Sequence, residues 1–520
     1  MPQTAPPRSG AARPGMATET ASAAPPRAGR RVWWALGLIA LLLVAIFAVR
    51  VLPHLGAGTF NSRDEYLTLD RTVSLLRTGD WTTIHTNHEP SFRKPPLQYW
   101  LGAALLSTGM DRELALRLVA LAGGLGMLAM TGLLAARMAR DLVPARDPRL
   151  VAGCAVLLLA GSRSLWRYST EAMLDTGTGF WLAATAVAFL AALDRPRRMW
   201  LVVACVGFGA LQKAPVAAML VVCGLLALAA GRRARRLRGA ADVALLRPGA
   251  RRAFSLALIC LVPAALVWPL MQVALHGIEA FRLLVMDEMV SRFAPEVETA
   301  AHGVEWPEWV ARDSALLWLP GLLATLALPV WMRTTGARMV WLWTVAFFAA
   351  MTFAGGATYP RYLLSVSPFV AVALALTIFR LAARDGRALA LAAVAGLAAP
   401  GIVSARVGET SPRRVEAEAA LRALAASAAP EDRLVACQTS GRAQELMVVG
   451  AIGFFASAGQ PVGIFRDPAD LAAYVEATPP GTVLRGICLS RDMGQIRALR
   501  PDLTETARGD YVIWSAPARG

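Results

Sequence analysis

The sequence predicts an α-helical polytopic membrane protein with a small soluble α/β unit at its C-terminus. Three observations predict it. Of 520 residues 56% are hydrophobic and only 17% charged, too apolar for a soluble chain of this length. The apolar residues come in runs of about 17 to 25, long enough to cross the hydrocarbon core. Arginines gather in the short loops between these runs, so the net charge of +17 reads as membrane topology and not as a nucleic-acid footprint.

Taken in order, residues 1–31 are rich in Pro, Ala and Arg without apolar periodicity and read as a disordered cytoplasmic tail. Val32 to Val51 is too long for a signal peptide and is followed by no small-residue cleavage site, so it reads as an uncleaved anchor opening a transmembrane region over 32–403. Candidate spans are roughly 33–52, 116–136, 150–168, 173–193, 199–211, 214–230, 253–275, 314–331, 339–355, 362–379 and 387–403, about eleven in all. The halves on either side of Lys213 are short, and one long kinked helix fits them equally. Pro95 to Met110 is apolar but short and begins Pro-Pro, which suits a juxtamembrane helix lying at the interface.

Arginine placement checks this order. Arg137 to Arg149, Arg195 to Arg198, the cluster from Arg232 to Arg252, Arg333 with Arg338, and Arg380 to Arg387 all fall on the side of the N-terminal tail if 95–110 does not cross. The opposite, extracytoplasmic side then receives 53–115, the turns near 169–172 and 212–213, the loop 276–313, the turn 356–361 and everything beyond about 404. Residues 404–520 alternate helical stretches (415–427, 443–457, 468–477, 491–499) with short apolar strands (433–437, 462–465, 482–488, 511–515), the pattern of a small periplasmic α/β domain. Cys437 and Cys488 lie there and could pair in an oxidising compartment, although spacing alone does not decide it.

Only two lysines occur, Lys94 and Lys213, against 51 arginines, and both fall at the outer face. Lysine presents a compact point charge where arginine presents a planar fork, so the two differ at a phosphate. The first outer loop opens Asn61-Ser62-Arg63-Asp64-Glu65-Tyr66, and adjacent carboxylates at the mouth of a membrane protein cost desolvation unless they bind or react. Asp64 could alternatively cap the helix that follows. The loop continues through Gly79-Asp80-Trp81 to Arg93-Lys94-Pro95-Pro96-Leu97-Gln98-Tyr99-Trp100, and Arg117-Leu118 enters the next span.

This combination resembles the bacterial lipid-linked glycosyltransferases of the GT-C superfamily, the aminoarabinose lipid A transferase and the protein O-mannosyltransferases in particular, over roughly residues 60–370. Further elements agree: Thr170-Glu171-Ala172-Met173-Leu174-Asp175, Gln212-Lys213-Ala214-Pro215, Glu288-Met289-Val290-Ser291-Arg292-Phe293 with Trp306-Pro307-Glu308-Trp309, and Thr358-Tyr359-Pro360-Arg361-Tyr362. The resemblance implies an inverting glycosyltransferase using a polyprenyl-phosphate sugar, with a lipid, polysaccharide or protein acceptor, in the bacterial inner membrane. It implies Asp64 as general base, with Glu65 and Asp175 orienting substrate or tuning Asp64. A leaving phosphate anchored in lipid needs cations at the interface, for which Lys94 and Arg292 are the leading candidates, with Lys213, Tyr359, Arg361 and Tyr362 beside them; Lys213 could instead be a snorkelling interface residue.

The chain departs from the family at Arg93, where relatives carry an acid, and at Glu288-Met289, where they carry a histidine pattern, so the motifs do not support a divalent cation there. His85 and His88 make a weak metal pair. Trp81, Tyr99, Trp100, Trp306 and Trp309 suit an interfacial aromatic belt, with stacking on a sugar as the alternative. Two other classes compete: a lipid-linked sugar transporter or flippase, disfavoured because the charges gather on one face with no inverted repeat, and a non-catalytic membrane scaffold.

Overall fold

The computed structural model describes residues 51–55, 60, 62–213, 216–236, 248–285, 305–331, 334–353, 359–382, 385–387, 412–437, 448–456, 459–465 and 468–517, with scattered residues of 34–48. The expected tail 1–31, the span 387–403 beyond Arg387, the boundary at 404 and the motif Glu288 to Phe293 with Arg292 lie outside them. Helices follow one another as α1 (Arg63–Thr78), α2 (Leu97–Leu106), α3 (Arg112–Leu142), α4 (Pro148–Ala160), α5 (Arg163–Thr170), α6 (Asp175–Asp194) and α7 (Met199–Gln212). Then come α8 (Val216–Arg236), α9 (Pro248–Ala265), α10 (Val267–His276), α11 (Ile278–Val285), α12 (Trp306–Trp331), α13 (Thr335–Phe353) and α14 (Ser367–Leu381).

Among the described residues, α3, α6 and α13 are each long and apolar enough to cross a membrane alone, and three bent pairs meet the same test. The span expected at 150–168 is one of these pairs, turning by 71° between α4 and α5. Ser162 breaks it: its side chain caps α5 by accepting from the Leu165 N–H at 3.2 Å, and buried Asp313 accepts from the Ser164 N–H and the Ser162 hydroxyl. The span expected at 253–275 turns by 54° after Ala265. Pro269 there lacks the N–H that would reach the Ala265 carbonyl, so the helix opens. Shorter apolar helices, including α2 and α14, complete the bundle, and α2 is the short helix expected within 95–110.

Two glycines let backbones meet where the site forms. A Cβ at Gly123 would lie 2.7 Å from the Gly177 nitrogen, so α3 and α6 cross in direct backbone contact. A Cβ at Gly179 would lie 2.8 Å from the Leu364 carbonyl oxygen, so the 3-10 turn Pro360–Ser365 seats directly on α6.

The C-terminal stretch holds α15 (Pro412–Ser427), α16 (Pro468–Glu476) and α17 (Met493–Leu499) with strands β3 (Arg433–Cys437), β4 (Val462–Phe465), β5 (Leu484–Leu489), β6 (Thr504–Arg508) and β7 (Tyr511–Ala516). The earlier strands β1 (His85–Thr86) and β2 (Glu89–Pro90) form a separate hairpin. The sheet runs β4-β3-β5-β7-β6, with β3 parallel to both neighbours and β7 antiparallel to β5 and β6. Cys437 and Cys488, at the ends of paired strands, are disulfide-bonded. β6 was not foreseen because Thr-Glu-Thr-Ala-Arg is polar and fully exposed, held at the sheet edge by β7 alone.

This sheet is tied to the first loop. Asn87 sits in the two-residue turn of the β1–β2 hairpin with φ 51° beside His88 at 70°, the left-handed pair that a tight hairpin turn demands. Its side chain donates to the Val462 carbonyl at 3.0 Å and accepts from the Val462 N–H at 3.1 Å, so one amide caps the outer edge of β4. The Tyr66 hydroxyl donates to Glu418 Oε2 of α15 at 3.1 Å, and Arg422 joins Glu418 to Glu113 of α3.

The hairpin is also pinned to α1 through Asp70, only 1% exposed, whose Oδ2 accepts from the Asn87 N–H at 2.8 Å. Burial pushes this carboxyl from 3.8 up to about 6, with the Asn87 N–H and the Arg71 and Arg77 charges only partly offsetting it. The folded chain therefore holds this proton where the unfolded chain has lost it, so stability falls as pH rises from about 4 to about 6 and is level above. Asp70→Asn keeps an acceptor for Asn87 and removes the buried charge. Detergent-solubilised Asp70→Asn is expected to lose this part of the pH slope, on the order of 2–3 kcal/mol; a thermal midpoint with the wild-type slope from pH 4 to 6 would contradict the assignment.

Candidate active site

The ends of several elements meet in one cavity lined by Asp64, Thr68, Arg71, Lys94, Met173, Leu174, Asp175, Lys213, Arg361 and Tyr362. Asp64 reaches it from the first turn of α1. That helix starts at Ser62, whose side chain accepts from the Glu65 N–H at 3.4 Å, so the cap is Ser62 and Asp64 is left to other contacts. Asp175 is the first residue of α6, Lys213 follows the last residue of α7, and Arg361 and Tyr362 stand in the 3-10 turn that Gly179 admits.

Carboxylates and cations alternate through it. Arg361 Nη1 lies 2.5 Å from Asp64 Oδ2 and its Nε 3.6 Å from Asp175 Oδ2, while Lys213 Nζ lies 2.5 Å from Asp175 Oδ1. Aromatic faces close the cationic side: Lys213 Nζ is 4.5 Å above the Tyr362 ring, and the Arg361 guanidinium is 4.5 Å from the Tyr359 ring centre. Lys213 thus points into the cavity. Asp175 is 5% exposed, so its charge depends on these two cations; outside the spans, the Asp64 and Asp175 charges and the neighbouring tyrosines hold Arg361 above its usual range despite burial.

Glu65 is elsewhere. It is fully buried, where its Oε1 accepts from the Ala172 N–H at 2.8 Å and lies 3.5 Å from Arg117 Nε, binding α1 to α3 and to the segment before α6. Tyr99 and Trp309 are buried too, at 0% and 7% exposure, unlike an aromatic belt; the Tyr99 hydroxyl accepts from Arg71 Nη1 at 3.2 Å. Arg71 and Thr68 were not foreseen as lining residues. Their spacing could have found them, since 64, 68 and 71 share one helical face.

Among the described residues no group of three or more His, Cys, Asp or Glu is placed to hold a metal ion. His88 instead rests against the Arg77 guanidinium.

The same fold is found in solved structures of low sequence identity. The chain is similar in fold to ArnT from Cupriavidus metallidurans, the aminoarabinose lipid A transferase, in a crystal structure bound to undecaprenyl phosphate: TM-score 0.69 and 16% identity over 93% of this chain and 98% of that one. The apo form of the same protein gives 0.65 and 17% over the same shares. The oligosaccharyltransferase AglB from Archaeoglobus fulgidus, in complex with an inhibitory peptide and a dolichol-phosphate, gives 0.53 and 15% over 82% of this chain and 64% of that one. No protein-family profile and no curated protein matches the sequence.

Proposed function

We propose that this protein moves a sugar from a polyprenyl-phosphate donor to an acceptor at the extracytoplasmic face of a bacterial plasma membrane, with inversion at the anomeric carbon. The observation that carries it is the alternating chain Asp64–Arg361–Asp175–Lys213 beside Lys94, gathered in one cavity at the ends of apolar helices. Solved structures of the same fold that hold undecaprenyl phosphate or dolichol-phosphate support it. The arginine distribution and the Cys437–Cys488 disulfide support an N-terminus inside and a C-terminal periplasmic domain outside.

In this reaction the acceptor hydroxyl or amine attacks the anomeric carbon from the side opposite the phosphate. Its proton passes to the Asp64 carboxylate, the bond from the anomeric carbon to the phosphate oxygen breaks, and the electron pair leaves with that oxygen. Lys94 and Arg292 hold the departing phosphate, and Lys213, Arg361, Tyr359 and Tyr362 form the rest of its cradle. Arg361 pairs with Asp64 and Asp175, and Lys213 with Asp175; the donor phosphate competes for these two cations and releases the Asp64 carboxylate for proton transfer.

Lys94→Ala should weaken binding of undecaprenyl phosphate to the purified protein by about tenfold or more, the worth of one charge-assisted hydrogen bond. Unchanged affinity would remove Lys94 from the phosphate site. Lys94→Arg is expected to recover only part of the loss, since a planar fork replaces a point charge.

A further inference from the structure

Lys94, Asp175 and Lys213 each stand close in sequence to a member of one buried hydrogen-bonded cluster. Gln98, in the first turn of α2, is joined to Lys94 through Leu97 and the stiff pair Pro95-Pro96. Gln212, the last residue of α7, precedes Lys213, and Leu174 precedes Asp175. Gln212 Nε2 donates to Gln98 Oε1 and to the Leu174 carbonyl, both at 3.0 Å, and both glutamines are 2% exposed. A carbonyl can only accept, so the Leu174 bond fixes which end of the Gln212 amide is nitrogen, and Gln98 must answer with its oxygen. The Gln98 Nε2 is then left buried with no partner.

We infer that this amide pair is a positioning device: it sets Lys213, and with it the ion pair to Asp175, at a fixed spacing from Lys94, so that both lysines meet the same phosphate. The phosphate rests on the transferase reading above; the hold on Lys213 does not. Stability alone does not explain the pair. The Leu174 carbonyl already accepts from the Thr178 N–H at 3.1 Å and the Thr178 hydroxyl at 3.0 Å. An orphaned buried amide is destabilising, whereas two apolar side chains of the same shape would be nearly neutral. The neighbouring helix is shaped for the pair all the same: a Cβ at Gly177 would lie 2.4 Å from Gln212 Nε2, so the first turn of α6 carries no side chain where the amide passes. The Lys213 N–H donates to the Gly209 carbonyl at 3.0 Å, which ties its backbone to α7, so a shift of Gln212 is passed on to Lys213 and to the Nζ that meets Asp175 Oδ1.

Trace acetylation of the detergent-solubilised full-length protein with an N-hydroxysuccinimide ester tests it, because the chain has only two lysines and peptide mass reads each separately. Gln98→Met keeps the length of the side chain and removes the acceptor, while Gly177→Ala leaves both glutamines in place and pushes the Gln212 amide aside. Each should raise the acetylation rate of Lys213 about threefold to tenfold, the worth of one hydrogen bond, with the thermal midpoint at or above the wild-type value. Undecaprenyl phosphate affinity should fall by a similar factor, and in a Lys213→Met background Gln98→Met should add less than its separate loss. Unchanged Lys213 acetylation in both variants, losses of affinity that simply add, or a midpoint that falls in step with the labelling would overturn the inference. Acetylation needs no donor lipid, so it keeps the two readings apart: a wild-type protein that binds no undecaprenyl phosphate would sink the donor site and leave the labelling result standing.

Discussion

Asp64→Asn is expected to lower sugar transfer by about 10²- to 10⁴-fold, the usual worth of a positioned general base. The substitution keeps the size of the side chain and an oxygen to accept from Arg361 Nη1, so the turn Pro360–Ser365 stays seated. Undecaprenyl phosphate binding should therefore survive while transfer from a host lipid extract by purified protein is lost. Full transfer by the variant would exclude Asp64 as base. Equal loss of binding and transfer would mean that Asp64 organises Arg361 and takes no proton.

Glu65→Ala is expected to act on the fold. It removes the acceptor of the Ala172 N–H and takes the Glu65 carboxylate away from Arg117, 1% exposed beside the Leu55 carbonyl and the Phe60 ring. Breaking a buried pair in this way costs about 3–5 kcal/mol, enough to lower the thermal midpoint of the solubilised protein sharply. Glu65→Gln keeps the Ala172 contact and should lose less. If Glu65→Gln instead left the midpoint at the wild-type value and lowered transfer alone, Glu65 would touch substrate.

That contrast shows what the sequence could and could not yield. Asp64 and Glu65 are neighbours in sequence and invite a shared role, but successive helical residues point about 100° apart. One faces the cavity and the other the protein interior. The cavity's charged members were legible because each stands in a short polar motif at the end of an apolar run: Asp64, Lys94, Asp175, Lys213 and Arg361. Arg71 carries a weaker signal: its helical spacing from Asp64 and Thr68 puts it on their face, but nothing in Leu-Asp-Arg-Thr itself marks it.

Long-range ties were equally hidden. Asn87 and Val462 are 375 residues apart, and an asparagine side chain replacing a strand partner leaves no periodic trace. Apolar alternation located β3, β4, β5 and β7 because one or both faces are buried, and it passed over β6, which buries neither. The bends at Ser162 and before Pro269 break runs that composition alone reads as continuous.

Glycosyl transfer is the activity proposed for the chamber at Asp64. The most direct measurement compares the glycolipids and glycoproteins of a deletion strain with those of its parent, after complementation with the wild-type chain or with Asp64→Asn. A glycoconjugate should be missing from the deletion strain, return with the wild-type chain, and stay missing with Asp64→Asn expressed at the same level. An unchanged profile on deletion, or full restoration by Asp64→Asn, would contradict it.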